Sequence, residues 1–178
     1  TIQLTREKIF LRTKGNGPAV LLLHGYPQTH VCWHEVAPEL SKQFFVVVPD
    51  LPGYGMSERP APSADHSAHS KRTMASIVVD LMNKLGRDTF HVVGHDRGAR
   101  VGYRMCLDHP DRVISFASLD VLPTVHMWDT FDKTRAFGAF HWSFLAQPSP
   151  FPENLINANP DYFHRHLMQS WAAPGFRF

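Results

Sequence analysis

Four short apolar runs, at residues 18–24, 44–49, 90–94 and 113–119, constrain the fold of this chain more than any other feature. They are rich in Val, Leu and Phe and show little alternation, as expected of strands covered on both faces of a parallel sheet. Between them lie amphipathic stretches at 34–42, 71–85 and 97–109. The last runs into Asp108-His109-Pro110, where proline ends a helix. Strand and helix in alternation predict an α/β chain with a doubly wound, mostly parallel sheet. The polar segment 59–70 reads as a surface loop.

After Thr124 the texture changes. Residues 125–146 are aromatic-rich with a helical pattern, 147–152 form a proline-broken turn, and 161–171 resume a helix. No strand-like run follows Leu119. The expected organisation is therefore the first part of an α/β core over 1–123 and a partial helical layer over 124–178, inserted above the strand ends. No internal repeats appear.

Composition narrows the function classes. A formal net charge of +2 over 178 residues, with no basic patch interleaved with aromatics, argues against nucleic acid. No apolar run, Ala19 to Leu23 included, approaches the roughly 18 residues a bilayer span needs. Nothing at the N-terminus reads as a signal peptide, and a start at Thr1 leads us to expect that a few leading residues are missing. Cys32 and Cys106 are isolated thiols, which suit a reducing cytoplasm. The histidines are scattered without metal-ligand spacing, so neither a metal nor another cofactor is expected.

The chemistry concentrates in Val92-Val93-Gly94-His95-Asp96-Arg97-Gly98-Ala99-Arg100. A strand ends and a helix begins here, the context of a nucleophile elbow of pattern G-x-nucleophile-x-G. The glycines suit the crowding of such a turn. Its central residue is aspartate. A carboxylate attacks without losing a proton and suits a saturated carbon bearing a leaving group; the product is an alkyl ester that water must cleave. An aspartate capping the following helix is the alternative reading.

Directly after the first clear strand comes His24-Gly25-Tyr26-Pro27. A loop here supplies one backbone N–H of an oxyanion hole, and the residue after the nucleophile supplies the other, making Tyr26 and Arg97 the expected main-chain donors. The turn Asp50–Ser57 is read as scaffolding. Arg97 and Arg100, three apart on the first helical turn, share a face and suit bidentate capture of a carboxylate, or else pair with surface acids. Asp120 closes the last strand on the sheet edge where catalytic groups gather, as a partner for a histidine or as a turn residue. His141-Trp142 offers two ring N–H groups to a departing halide, or packs in a core.

Together these residues resemble the fluoroacetate (haloacetate) dehalogenases of the α/β-hydrolase superfamily. The likeness runs from about Gly17 to Trp171. It includes His24–His30, the Asp50–Ser57 turn, Gly94–Arg100, Leu119-Asp120 with Leu122-Pro123-Thr124, and His141–Pro148. It implies an α/β-hydrolase fold with a helical cap, and hydrolysis of a small anionic 2-haloacid to a hydroxyacid plus halide. By resemblance, Asp96 displaces the halide, Arg97 and Arg100 hold the substrate carboxylate, and Asp120 partners the catalytic histidine. His141 and Trp142 line the halide pocket, and Trp171 matches a tryptophan near the substrate channel. Epoxide hydrolases of the same superfamily are the alternative, but they typically place tryptophan where Arg97 stands. Members are often homodimers, and no interface is legible here. The family's catalytic histidine, a halide-binding cap tyrosine and the last strands would lie beyond Phe178. The sequence therefore leads us to expect a fragment or truncated product, able to form the ester but not to hydrolyse it, with one sheet edge exposed; an inactive fragment is the third reading.

Overall fold

The apolar runs become the centre of one sheet. The computed structural model describes residues 1–5 and 7–175, in two compact units, Thr1–Val121 and Leu122–Phe178. In the first unit the strands are β1 (Ile2–Gln3), β2 (Lys8–Ile9), β3 (Leu11–Lys14), β4 (Ala19–Leu23), β5 (Phe45–Pro49), β6 (Phe90–His95) and β7 (Val113–Leu119). β1 and β2 form a small antiparallel pair, and the other five make a sheet of order β3-β5-β4-β6-β7. β4 to β7 run parallel, and β3 lies antiparallel on β5. The N-terminal strands were not among the four expected runs, because they are short and half-exposed and so lack a continuous apolar signature.

β4 is the hinge of this topology. The chain moves from β4 to β5 on one side and then crosses to β6 on the other. Reversal of strand order opens a crevice at the carboxyl ends of the strands. The loops leaving β4 and β6, which hold Gly25 and Asp96, therefore meet at the switch point.

Two helices cover one face. α2 (Lys71–Lys84) opens at Ser70, whose hydroxyl accepts the Thr73 N–H at 3.1 Å, and closes at Gly86, where φ is +68°. α3 (Arg97–Asp108) follows β6 directly. Leu21, Leu23, Val47, Val78, Met82, Phe90, Val92, Val101 and Met105 fill the core that these helices share with the sheet. On the opposite face Val20, Leu22, Val46 and Val48 pack with Trp33. The helix expected over 34–42 is shorter: a 3₁₀ turn at His30–Trp33 precedes α1 (Val36–Leu40). Pro38 lacks an amide hydrogen and so is tolerated only within a first turn, which fixes where that helix begins.

β7 is an edge strand, and Ile114 and Leu119 on it are exposed. A parallel edge of this kind leaves backbone groups open to pairing.

The second unit is helical throughout its described residues: α4 (Thr124–Asp129), α5 (Lys133–Gly138), α6 (Phe140–Leu145), α7 (Phe151–Ala158) and α8 (Pro160–Trp171). The single stretch expected over 125–146 is three helices. Asp132 interrupts it by accepting the Arg135 N–H at 2.8 Å, and the chain breaks again at Ala139. α7 falls partly where a turn was expected, because Pro152 sits in its first turn, where its missing N–H has no consequence. Asn159 caps α8 through the Tyr162 N–H at 3.1 Å. Phe144 packs against Phe151 and Phe163, and Leu167 is fully buried.

Phe90 is fully buried where β6 meets the helices. Phe90→Ala is expected to lower unfolding free energy by about 3–5 kcal/mol, read by urea denaturation. A loss below about 1 kcal/mol would show that this strand is not central to the core.

Candidate active site

The site is built around a backbone conformation that side chains avoid. Asp96 has φ +48° and ψ −116°, outside the regions open to ordinary residues, at about 1–3 kcal/mol of strain. It persists because neighbours fix it from several sides. The Asp96 N–H donates to the Leu119 carbonyl at 3.2 Å, and the Asp96 carbonyl accepts from the Arg100 N–H at 3.2 Å.

The glycines permit this approach. A Cβ on Gly94 would lie 2.6 Å from the backbone of Ala99, and one on Gly98 would strike the carbonyls of Leu23 and His24. One on Gly25 would lie 2.6 Å from the Asp96 Cβ and 2.8 Å from its Oδ1. Strand β4, the turn after β6 and the start of α3 are thus pressed together with no room for side chains.

The capping reading of Asp96 is settled by its hydrogen bonds. Asp96 occupies the N-cap position, but its side chain makes no capping bond. Its Oδ1 instead accepts the Tyr26 N–H at 2.9 Å, across the switch point. Arg97 is the first residue of α3, a position whose amide has no intrahelical acceptor. The two expected main-chain donors therefore flank the carboxylate in the chain path, and one already bonds to it.

Both arginines are anchored near this carboxylate. Arg97 donates from Nη1 to the Tyr54 hydroxyl at 2.9 Å, and its guanidinium lies 4.5 Å above the Tyr26 ring. Arg100 is only 6% exposed, which removes the surface reading for it. Burial pulls its guanidinium below the ordinary value, opposed by the charge of Asp96. Tyr54, in a turn expected to be scaffolding, thus positions a site arginine.

That turn has its own anchor. Asp50 is fully buried. Its Oδ1 accepts the His30 N–H at 2.7 Å and faces His30 Nδ1 at 2.8 Å, while its Oδ2 accepts the Met56 N–H at 2.9 Å. Burial alone would raise its pKa, but the hydrogen bonds from His30 and Met56 outweigh it and hold the carboxyl below its usual range. Gly55, at φ +51°, leaves space that any Cβ would take from this carboxylate. His24 ties the loops together. Its Nε2 accepts the Leu51 N–H at 2.9 Å, so its Nδ1 carries the proton and donates to the Gly25 carbonyl at 2.8 Å. Burial lowers its pKa and favours this neutral form.

Asp120 follows β7 with φ +50° and an almost fully exposed side chain. The β6–β7 register pairs His95 with Leu119, which brings His95 Nε2 to 4.0 Å from Asp120 Oδ2. Its Nδ1 lies 2.9 Å from Gln28 Oε1. Sequence reasoning looked for a partner of Asp120 only after it in the chain and missed His95; adjacency on paired parallel strands was the available signal. Burial, with the charges of Arg97 and Arg100 adding to it and Asp96 opposing, lowers the Lys71 ammonium to about 8.

In the second unit His141 lies with its ring centroid 4.7 Å from that of Trp171, and Trp142 meets Trp128 edge-on at 5.2 Å. The unit therefore gathers three of the predicted binding residues into aromatic contacts. Among the described residues no His, Cys, Asp and Glu side chains group to hold a metal, and no helix is long and apolar enough to cross a membrane.

A strained residue at a strand-to-helix turn, faced by a backbone donor from the neighbouring strand's loop, has the geometry of an elbow on a doubly wound sheet. The model of the α/β-hydrolase fold matches residues 18–176, and the chain belongs to that family. It is 50% identical over 161 residues to a fluoroacetate dehalogenase of Burkholderia sp., covering 90% of this chain and 53% of that protein. It is 42% identical over 157 residues to a soluble epoxide hydrolase of Corynebacterium sp., covering 88% and 53% respectively. Among solved structures, one assigned to the α/β hydrolases from Nostoc sp. PCC 7120 superposes with a TM-score of 0.96 at 49% identity, over 99% of this chain and 61% of that one. The chain spans about half the length of the curated relatives it matches.

Asp50→Asn is expected to lower stability by about 1–3 kcal/mol at neutral pH, since the Met56 N–H then faces an amide group. The native carboxyl has a depressed pKa, so its contribution is present above the unfolded value of about 3.9 and vanishes as pH falls through the folded value. Denaturation midpoints of the two proteins should therefore converge below about pH 4. A constant gap across that range would show that the charge is not what holds the turn.

Proposed function

We propose that this chain carries the nucleophile portion of a hydrolytic dehalogenase acting on small 2-haloacids. The observation that carries the reading is the Asp96 carboxylate, fixed by the Tyr26 N–H and accompanied by Arg97 and the buried Arg100. Support also comes from the 50% identity to the Burkholderia fluoroacetate dehalogenase.

The chemistry follows from the charges. A guanidinium grips a carboxylate with two parallel N–H bonds, which offsets the repulsion between an anionic substrate and Asp96. An Asp96 oxygen attacks the α-carbon, a C–O bond forms, and the halide leaves with the bonding pair. Water then adds to the ester carbonyl carbon. The resulting oxyanion is the species that the Tyr26 and Arg97 amides would stabilise. Collapse releases the hydroxyacid and restores the carboxylate. Water activation requires a base, the role of a histidine partnered with Asp120. In the same reading residues 124–178 are a partial cap, within which His141 and Trp142 donate to the halide and Trp171 lines the path of the substrate. The free thiols Cys32 and Cys106 suit a cytoplasmic setting.

Epoxide hydrolysis is the second reading, favoured by the 42% identity to the Corynebacterium enzyme. It uses the same carboxylate on a neutral substrate, for which two arginines beside the nucleophile serve no purpose.

Incubation of the chain with fluoroacetate or chloroacetate should release halide and leave a carboxymethyl ester on the peptide containing Asp96, detected by mass spectrometry. Asp96→Ala should give neither. For the full-length protein in heavy-oxygen water under single turnover, the first hydroxyacid released should carry unlabelled oxygen taken from Asp96. Adduct formation with styrene oxide but not with haloacids would favour the epoxide reading, and halide release by Asp96→Ala would sink both.

A further inference from the structure

Gly25 sets a problem for the loop that follows β4. Crowding against Asp96 demands glycine there, and glycine is the residue least able to hold its own backbone angles. Yet the peptide that joins Gly25 to Tyr26 must be aimed, because its N–H reaches the Asp96 Oδ1 at 2.9 Å. A peptide unit is planar, so whatever fixes the Gly25 carbonyl also fixes the direction of the Tyr26 N–H. Two groups grip that carbonyl, the Gln28 N–H at 3.1 Å and the His24 Nδ1–H at 2.8 Å.

Gln28 also closes the loop with its side chain. Its Oε1 accepts the Gly25 N–H at 3.4 Å and lies 2.9 Å from His95 Nδ1. A backbone N–H can only donate, so the Gly25 contact identifies this end of the side-chain amide as oxygen. His95 Nδ1 therefore carries a proton and donates it to that oxygen. One oxygen thus ties the base of the loop to the last residue of β6, immediately before Asp96. The other ring nitrogen, Nε2, lies 4.0 Å from Asp120 Oδ2, just after β7. His95 accordingly spans the ends of three parallel strands, β4, β6 and β7, and its Nδ1 edge holds the loop that carries Tyr26.

We propose that Gln28 and His95 are positioning residues that latch the loop after β4 to the elbow and aim the Tyr26 amide at the Asp96 carboxyl group. In the reaction given above they act at the second step, where that amide meets the oxyanion of the ester. This consequence rests on the dehalogenase reading, whereas the latch itself does not. The latch needs a donor in the place of Nδ1 and an acceptor on residue 28, not an imidazole as such. The side-chain amide of asparagine has the reach of Nδ1, and that of glutamine has the reach of Nε2.

Hydrogen exchange of the 178-residue chain, followed amide by amide by NMR, tests the latch directly. Gln28→Met, His95→Phe and His95→Gln should each speed exchange at Tyr26 by about tenfold, with the amides of β4 and β6 unchanged. His95→Asn should keep Tyr26 close to wild type. Packing alone would favour phenylalanine over asparagine at this position, the opposite order. Unchanged exchange at Tyr26 in Gln28→Met, or a loss in His95→Asn equal to that in His95→Gln, would overturn the proposal. If His95→Phe fails to fold, the asparagine and glutamine variants carry the same contrast.

Hydroxylamine probes the same amide in chemistry, without a histidine base. After chloroacetate has esterified Asp96, hydroxylamine at neutral pH adds to the ester carbonyl carbon. The acyl C–O bond breaks, glycolate leaves with the proton that hydroxylamine gives up, and Asp96 remains as a hydroxamate. Mass spectrometry should show this cleavage slowed about tenfold in Gln28→Met and His95→Gln, and near the wild-type rate in His95→Asn. Cleavage in Gln28→Met as fast as in the wild type would overturn the role at the oxyanion. A wild-type chain that forms no ester would sink the dehalogenase reading and leave the latch to stand or fall by exchange at Tyr26.

Discussion

Everything at the catalytic edge depends on the close approach of β4, the turn after β6 and the first turn of α3. Gly25, Gly94 and Gly98 each occupy a place where a single methyl group would collide with backbone or with Asp96. That absence of bulk lets Asp96 stand at a positive φ while its carboxylate reaches the Tyr26 amide. The strain is sustained by the core beneath it. Leu21, Leu23, Phe90, Val92 and Val101 lock the two strands and the helix in place, so relaxing Asp96 would require moving buried apolar groups.

Electrostatics builds a second layer on this frame. The carboxylate of Asp96 accepts a neutral donor, the Tyr26 N–H. Arg97 beside it is held by groups that do not neutralise its charge, a hydroxyl and an aromatic face. The proposed capture of an anionic substrate would use such a group, because a guanidinium already bound to a protein carboxylate has nothing left for a substrate. Asp50 shows the contrasting design. Its oxygens are bonded to His30 and Met56, and it organises a turn.

The two units differ in how they are built. The first takes its stability from a sheet with both faces covered over β4 and β5. The second is a set of short helices joined by aromatic contacts, with few fully buried side chains. Such a unit repacks more readily than a sheet core, because fewer buried contacts oppose its opening.

The sequence by itself determined the parallel strands and the elbow, because β4 and β5 are continuous apolar runs, β6 is Val- and Phe-rich, and the glycines bracket Asp96 within five residues. Those signals are local. The sequence also marked Arg97 and Arg100, since helical spacing alone puts them on one face. What only the tertiary structure decided were the pairings between distant segments. His95 meets Asp120 because two strands share a register, and Tyr54 meets Arg97 because the turn after β5 lies against the start of α3. None of these leaves a periodic trace, because a contact formed by packing constrains the position of a residue in space and not its spacing along the chain.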